Sequence, residues 1–191
     1  YVGMILGVVI ALGLFMFLPK WIVGFIKPLT DSRILRSLVE GIVKIVVFVA
    51  YMALTALMKD IRRQYEYHGA EHKTIAAYEH GEELTVENAR KYSRLHPRCG
   101  TSFLLIVMVV SIIFFSFLRW ETVWQRLVYR LLLLPVVAGV SYEIIKFAGR
   151  SRNRCVTLLT KPGLALQYLT TREPDDLQLE VAITALKSSK A

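Results

Sequence analysis

Five residues of types that can do chemistry lie in one polar segment between two apolar runs. His68 and His72 are four residues apart, so on a helix both imidazoles project from one face, the spacing that chelates a single metal ion. Glu71 stands between them in a His-x-x-Glu-His arrangement, a form in which zinc proteases use the glutamate as a general base. His96 and Cys99 follow in a His-x-x-Cys arrangement, and an imidazole nitrogen and a thiolate both suit Zn²⁺. The sequence therefore predicts a divalent metal site, with zinc as the expected ion and with His68, His72, His96 and Cys99 as ligands.

Several of the candidate residues also have a simpler interpretation. Cys99 precedes an apolar run, where a small buried thiol needs no function. Glu143 lies in another apolar run and has Lys146 three residues on as an ion-pair partner. A carboxylate on an apolar span is by default a functional candidate, so Glu143 is predicted beside Glu71 as a catalytic carboxylate. His80 is interpreted as a solvated loop residue.

Membrane helices must position the polar segment, because the rest of the chain is strongly apolar. The hydrophobic content of 54% and the mean hydropathy of +0.45 are high for a chain in which 20% of the residues are charged. The apolar residues are clustered in four runs, at 2–18, 41–58, 103–118 and 127–147. At ~1.5 Å per residue, the first run spans roughly 26 Å, just enough to cross a hydrocarbon core. The sequence therefore predicts an all-α integral membrane protein with about four spanning helices.

The predicted spans divide the chain into four segments. Residues 1–60 hold the first two membrane helices with an interfacial linker, and residues 61–102 form the histidine-containing, metal-site loop. Residues 103–148 hold membrane helices three and four, and residues 149–191 form an amphipathic helical tail. The chain begins at Tyr1 inside an apolar run, so it is expected to be a fragment of a longer protein.

Prolines and charges predict where individual elements begin and end. Pro19 is expected to end the first helix, which leaves residues 21–26 lying on the membrane surface. The second helix is expected to continue past Lys59 into the loop. Pro162 and Pro174 are expected to begin the two amphipathic pieces of the tail.

The distribution of basic residues predicts the orientation in the cell membrane. The loop at 59–102 holds eight Lys and Arg and the tail from 146 onward holds eight, against four at 19–40 and three at 119–130, with Lys44 left over. By the positive-inside rule, the loop and the tail are expected to be cytoplasmic. Cys99 and Cys155 both lie there, so a disulfide is not expected, and Cys155 is interpreted as inert packing.

The net charge of +9 is interpreted as lysines and arginines that flank the membrane. No basic patch interleaved with aromatic residues stands on a soluble fold, which argues against a nucleic-acid partner. The expected partner is the lipid bilayer. A homo-oligomer stays open as a second kind of partner, and the sequence predicts no substrate.

Several stretches of the sequence resemble the YqhQ family of bacterial membrane proteins, which are described as proteins of unknown function and as predicted metal-dependent enzymes. The matching stretches are Tyr-His-Gly-Ala-Glu-His-Lys-Thr at 67–74, Leu-Thr-Val-Glu-Asn-Ala-Arg at 84–90, His-Pro-Arg-Cys-Gly-Thr-Ser-Phe at 96–103, Ser-Tyr-Glu-Ile-Ile at 141–145, and 170–176 with 180–183. The resemblance implies a metal and a membrane, and it does not imply a substrate. Family members usually carry a glycine-rich motif ahead of the first span, which this chain lacks.

Two functional hypotheses follow. The first is a cytoplasm-facing membrane metalloenzyme that hydrolyses a membrane-associated substrate, either a lipid or a membrane peptide. A bound metal would lower the pKa of its water towards ~7, and Glu71 or Glu143 would take the proton. The second is a non-enzymatic membrane scaffold, oligomer or small-molecule conduit with a structural metal site. Structural zinc is closed by four protein ligands, whereas catalytic zinc keeps an open position, so the number of protein ligands distinguishes the two.

Overall fold

The computed structural model describes residues 1–26, 32–118, 122–150 and 154–189, and this part of the chain is helical without a strand. Four helical stretches are long and apolar enough to cross a membrane: Val2–Phe25, Ile34–Thr55, Gly100–Phe117 and Val128–Ala148. The predicted all-α fold with four spanning helices is confirmed. The protein is therefore a helical membrane protein.

The helices follow one another with short connections. The first helical stretch consists of α1 (Val2–Leu12), a π-helical turn (Gly13–Phe17) and α2 (Leu18–Ile26). The remaining helices are α3 (Arg33–Thr55), α4 (Lys59–Glu79), α5 (Val86–Arg90), α6 (Gly100–Phe117), α7 (Val123–Arg150), α8 (Arg154–Thr170) and α9 (Asp176–Ser188).

Pro19 does not end the first helix, so the prediction at this residue is wrong. Proline lacks an N–H group, and its ring clashes with the carbonyl four residues earlier. Here the π-helical turn Gly13–Phe17 comes directly before it, and the N–H of Leu18 bonds to the carbonyl of Gly13. This wider turn displaces the carbonyls that the proline ring would meet. Residues 21–25, expected on the membrane surface, instead complete the first span.

The second helix stops earlier than expected. α3 ends at Thr55, and α4 begins anew at Lys59, because Met58 adopts an extended conformation (φ −74°, ψ 133°). Asp60 lies in the first turn of α4, where a carboxylate stabilises a helix N-terminus. No proline or glycine marks this break in the sequence, so the apolar pattern alone predicted a continuous helix.

The tail contains two helices, but the first begins before its proline. Pro162 lies inside α8 rather than at its start, and the buried residues Leu166 and Gln167 that follow it fix the helix by packing. α9 begins as expected, just after Pro174. Its N-cap Asp175 forms a capping box, in which the Asp175 carboxylate accepts from the backbone of Gln178 while the Gln178 side chain accepts from the backbone of Asp175.

The chain forms two compact units. The first comprises residues 1–51 and 104–144, and the second comprises residues 52–103 and 145–191. In the second unit, α4 packs against α5 and α9 around small buried side chains. These are Ala70, Ala77, Ala89, Leu179 and Ile183.

One glycine allows the segment after α8 to cross α4 closely. The N–H of Arg172 donates to the carbonyl of Tyr65, 2.8 Å away. A Cβ at Gly69 would lie 2.0 Å from the carbonyl oxygen of Arg172, so any larger residue would displace the backbone there. This crossing holds the end of α8 against the helix that carries His68 and His72.

Candidate metal centre

The structure brings His68, His72 and Cys99 together. The two histidines lie one turn apart on α4, with ring centroids 4.4 Å apart. Cys99 lies directly before α6. One ligand atom from each of the three residues lies within 4.8 Å of the others, which is close enough for one metal ion to contact all three. His72 and Cys99 are each only 3% exposed, and His68 is half-buried.

Backbone carbonyls orient both imidazoles. The Nδ1 of His68 lies 2.8 Å from the carbonyl of Thr170, and the Nδ1 of His72 lies 2.6 Å from the carbonyl of Arg94. A carbonyl oxygen only accepts, so each Nδ1 carries a proton and donates it. In a neutral ring the lone pair is then on Nε2. Metal-binding histidines are held in the same way, with the second ring nitrogen donating to a carbonyl or carboxylate.

The thiol of Cys99 is strongly acidified. Its Sγ lies 3.4 Å from Nε2 of His68 and 3.1 Å from Oγ1 of Thr101. Burial acts to raise the pKa of the Cys99 thiol, but hydrogen bonds with His68, His72 and Thr101 outweigh burial and lower the pKa to about 5. The bond to Cys99 in turn raises the pKa of His68. Cys99 is therefore a thiolate at neutral pH, the form that binds metals.

His96 lies beside this group but not within it. Its ring centroid is 5.7 Å from that of His72. Its Nδ1 accepts from the N–H of Arg98 at 3.3 Å, and its Nε2 lies 3.3 Å from the carboxylate of Glu79. Burial lowers the pKa of His96, so the ring is neutral and its Nε2–H donates to Glu79. Of the four predicted ligands, three are brought together and His96 is a neighbour.

Neither of the two predicted catalytic carboxylates belongs to the group formed by His68, His72 and Cys99. Glu71 is exposed and lines a groove of about 350 Å³ between α4 and α9, together with Tyr67 and Thr74. Glu143 lies on α7 in the first unit. A catalytic role for either residue stays a prediction. His80, expected to be solvated, is exposed at the end of α4.

Lys73 holds the segment between α5 and α6 over α4. Its ammonium group donates to the carbonyls of Arg90 (3.3 Å) and Tyr92 (2.8 Å) and forms an ion pair with Glu173 at 2.9 Å. The side chain of Lys73 is only 8% exposed. Residues 90–94 therefore have a fixed position, which places the Arg94 carbonyl at His72.

Arg94 connects the two segments that orient the histidines. Its guanidinium donates to the backbone carbonyl of Thr171 and, at 2.8 Å, to the Thr171 hydroxyl. Thr171 follows Thr170, whose carbonyl accepts from His68. Sequence reasoning missed Lys73, Arg94 and Thr171, although all three lie in or near the stretches singled out above. No spacing rule relates a lysine on a helix to carbonyls some twenty residues later.

The whole chain, residues 1–191, matches the model of a family described as protein of unknown function (DUF1385). The uncharacterised protein YqhQ of Bacillus subtilis (strain 168) is 36% identical over 170 residues, which are 88% of this chain and 54% of that protein. The chain thus spans about half the length of this relative. No solved structure matches. The resemblance to the YqhQ family is confirmed, whereas a metal-dependent activity stays a prediction.

Proposed function

The chain belongs to the DUF1385 family of proteins of unknown function, and from this premise we propose that it is a membrane protein that binds a divalent metal ion through His68, His72 and Cys99. The observation that carries the proposal is the position of the three ligand atoms, all within 4.8 Å of one another. The donor set supports zinc, because two imidazole nitrogens and one thiolate suit that ion.

The proposed site is of the catalytic kind. Three protein ligands leave one position of a tetrahedral ion open, as in catalytic zinc sites. His96 does not fill that position here, because its two ring nitrogens face Glu79 and the N–H of Arg98. We propose hydrolysis of a membrane-associated substrate as its reaction, because an open position on the ion could hold a water molecule.

The chain's own residues would bind the metal ion and orient the side chains around it. When bound, the ion would supply a Lewis acid that activates water for hydrolysis. The carbonyls of Arg94 and Thr170 hold the imidazoles in place, and burial of His72 and Cys99 limits access of bulk water. Glu79, hydrogen-bonded to His96, joins Glu71 as a carboxylate of the second unit that would hold a proton.

A structural metal site in a non-enzymatic scaffold is the second candidate. The 5.7 Å between the ring centroids of His72 and His96 favours it, because a rotation of His96 would bring a fourth ligand to the ion. A site closed by four protein ligands would stabilise the fold without an open position.

Metal analysis of the chelator-free, purified chain tests the proposal. We expect about one equivalent of zinc, lost in Cys99→Ala and retained in His96→Ala. Substitution with Co²⁺ then reports the number of protein ligands through its absorption spectrum. A chain that binds no metal contradicts the proposal, and a spectrum of four protein ligands that changes in His96→Ala favours the structural candidate.

We further propose that the segment at 59–102 and the tail face the cytoplasm, on the count of sixteen basic residues against seven. Cys155, whose side chain lies outside the described residues, provides a label in the tail. In a Cys99→Ala background, an impermeant maleimide added to sealed cells should leave Cys155 unmodified until the cells are opened. Labelling from outside contradicts this orientation.

A further inference from the structure

A groove of about 350 Å³ lies between α4 and α9, both of which belong to the second unit. Its volume falls within the range of ~300–1,000 Å³ that is typical of ligand sites. None of His68, His72 and Cys99 lines it, so it is separate from the proposed metal centre. Its described lining combines one charged residue with hydroxyl-bearing and apolar residues: Glu71, then Tyr67, Thr74 and Ser189, then Ile75, Val181, Ala182, Ala185 and Leu186.

Glu71 gives the groove a negative charge. Its side chain is exposed, and its carboxylate has no ion-pair or hydrogen-bond partner among the residues that the structure describes. The guanidinium of Arg63 hydrogen-bonds to Tyr67 of the lining. The carboxylates of Asp175 and Glu66 lie near that guanidinium and offset its charge. A cationic ligand would therefore meet an unpaired carboxylate, and hydrogen bonds to an ionised group are the stronger kind.

Thr74 adds a hydroxyl group that has no partner. Its side chain is only 1% exposed, and its Oγ1 forms no hydrogen bond within the described part of the chain. A helical threonine usually donates to the carbonyl four residues earlier, as Thr184 of α9 does at 2.8 Å. A buried hydroxyl without a partner is costly. Thr74 follows Glu71 by three residues, so the two side chains are neighbours on α4, and one donor in the groove would reach both.

The rest of the lining favours an apolar ligand body. Ile75 contributes from α4, and Val181, which is 53% exposed, contributes from α9. Ala182 and Ala185 are small, which leaves room between the two helices. A bare metal cation would leave this apolar surface in water. A primary ammonium group carries three N–H donors, enough for the carboxylate and the hydroxyl together.

We propose that the groove between α4 and α9 binds an apolar primary amine, whose ammonium group donates to the Glu71 carboxylate and the Thr74 hydroxyl. The proposal does not depend on the proton-holding role of Glu71 at the metal centre, because an ammonium pairs with the ionised carboxylate whether or not a metal is bound.

The test measures binding to the full chain in a non-ionic detergent by calorimetric titration at neutral pH, with detergent alone as the blank. The probes are hexylamine, which is protonated there, hexanol, which has the same apolar chain without the charge, and methylamine, which has the charge without the chain. Hexylamine should bind about fivefold more tightly than hexanol, the upper end for an exposed ion pair. It should bind at least about tenfold more tightly than methylamine.

Four variants separate the charge from the shape of the groove. Glu71→Gln should reduce hexylamine binding to the level of hexanol and leave hexanol unaffected. Glu180→Gln, which removes an exposed carboxylate of α9 outside the lining, should change neither. Thr74→Val should weaken hexylamine binding about threefold, as expected for one neutral hydrogen bond. Ala185→Leu fills the groove and should weaken hexylamine and hexanol alike.

Three results would overturn the proposal. The first is equal binding of hexylamine and hexanol, since the carboxylate would then play no part. The second is an equal effect of Glu71→Gln and Glu180→Gln, which would indicate general attraction of cations to the surface. The third is unchanged hexylamine binding in Ala185→Leu, which would place the amine outside the groove.

Discussion

Replacing His72 by alanine gives the sharpest test of the metal centre. His72 is a buried residue and a proposed ligand, and its Nδ1 is held at 2.6 Å by the Arg94 carbonyl, so its Nε2 is positioned before any ion arrives. Structural zinc sites with four protein ligands bind with ~10–16 kcal/mol at neutral pH, or about 3 kcal/mol per ligand. Loss of one ligand should therefore weaken zinc binding roughly 100-fold.

The matched control for this substitution lies on the same helix. His80 is the C-cap of α4, is exposed, and its Nδ1 donates to the Ala76 carbonyl at 2.7 Å. His80→Ala should leave zinc affinity within about twofold. Affinities are measured by competition with a chromogenic chelator, and circular dichroism confirms that each variant is folded.

Two outcomes would refute the reasoning about His72. If folded His72→Ala binds zinc as tightly as the parent, His72 is not a ligand. If His80→Ala loses as much affinity as His72→Ala, zinc binds to histidines generally rather than to the three-residue group.

Three other predictions concern the second unit. In metal-free protein the ultraviolet absorbance of the Cys99 thiolate should disappear as pH falls through about 5, and His68→Ala should raise that midpoint. Because this folded-state pKa lies below the ordinary value of 9.0, the thiolate's contribution to stability is complete above about pH 9 and is lost progressively as pH falls from there to about 5. Gly69→Ala should lower the free energy of unfolding by about 1–3 kcal/mol in chemical denaturation, because its Cβ would meet a backbone carbonyl oxygen at 2.0 Å. The control Gly139→Ala, with nothing within 4 Å of its Cβ, should be neutral or stabilising. Equal effects of the two substitutions would contradict the packing argument. Lys73→Met should lower zinc affinity ~10-fold or more by releasing the carbonyl that orients the second histidine, and an unchanged affinity would show that the lysine acts on stability alone.

The sequence predicted the membrane helices well, because their signal is local. Long apolar runs identify spans without knowledge of what they contact, and the helices at 100–117 and 123–150 lie close to the runs that predicted them. The interruptions within the helices were harder to predict from the sequence. The extended conformation of Met58 and the π-helical turn before Pro19 are local changes of backbone conformation, which the apolar pattern does not encode.

The candidate site was predictable in part for the same reason. The one-turn spacing of His68 and His72 is a property of a helix, and it was read correctly. The position of Cys99 against His68, 31 positions earlier in the chain, depends on the path of an irregular segment. That path is fixed by Lys73 and Arg94, whose bonds to carbonyls leave no pattern in the sequence. The same path turns His96 towards Glu79.

The carbonyl that orients His68 also sets the moment at which the site can mature during biosynthesis. His68 and Thr170 are separated by 102 residues along the chain, so the imidazole has no fixed orientation until the end of α8 has been synthesised. Translation adds ~5–20 residues per second, and the chain therefore spends roughly 5–20 s with His68 already synthesised and the carbonyl that orients it still absent. Two further spans must enter the bilayer in that interval. A nascent chain stalled before residue 170 should hold zinc weakly, and tight binding would mark a chain whose tail has already docked.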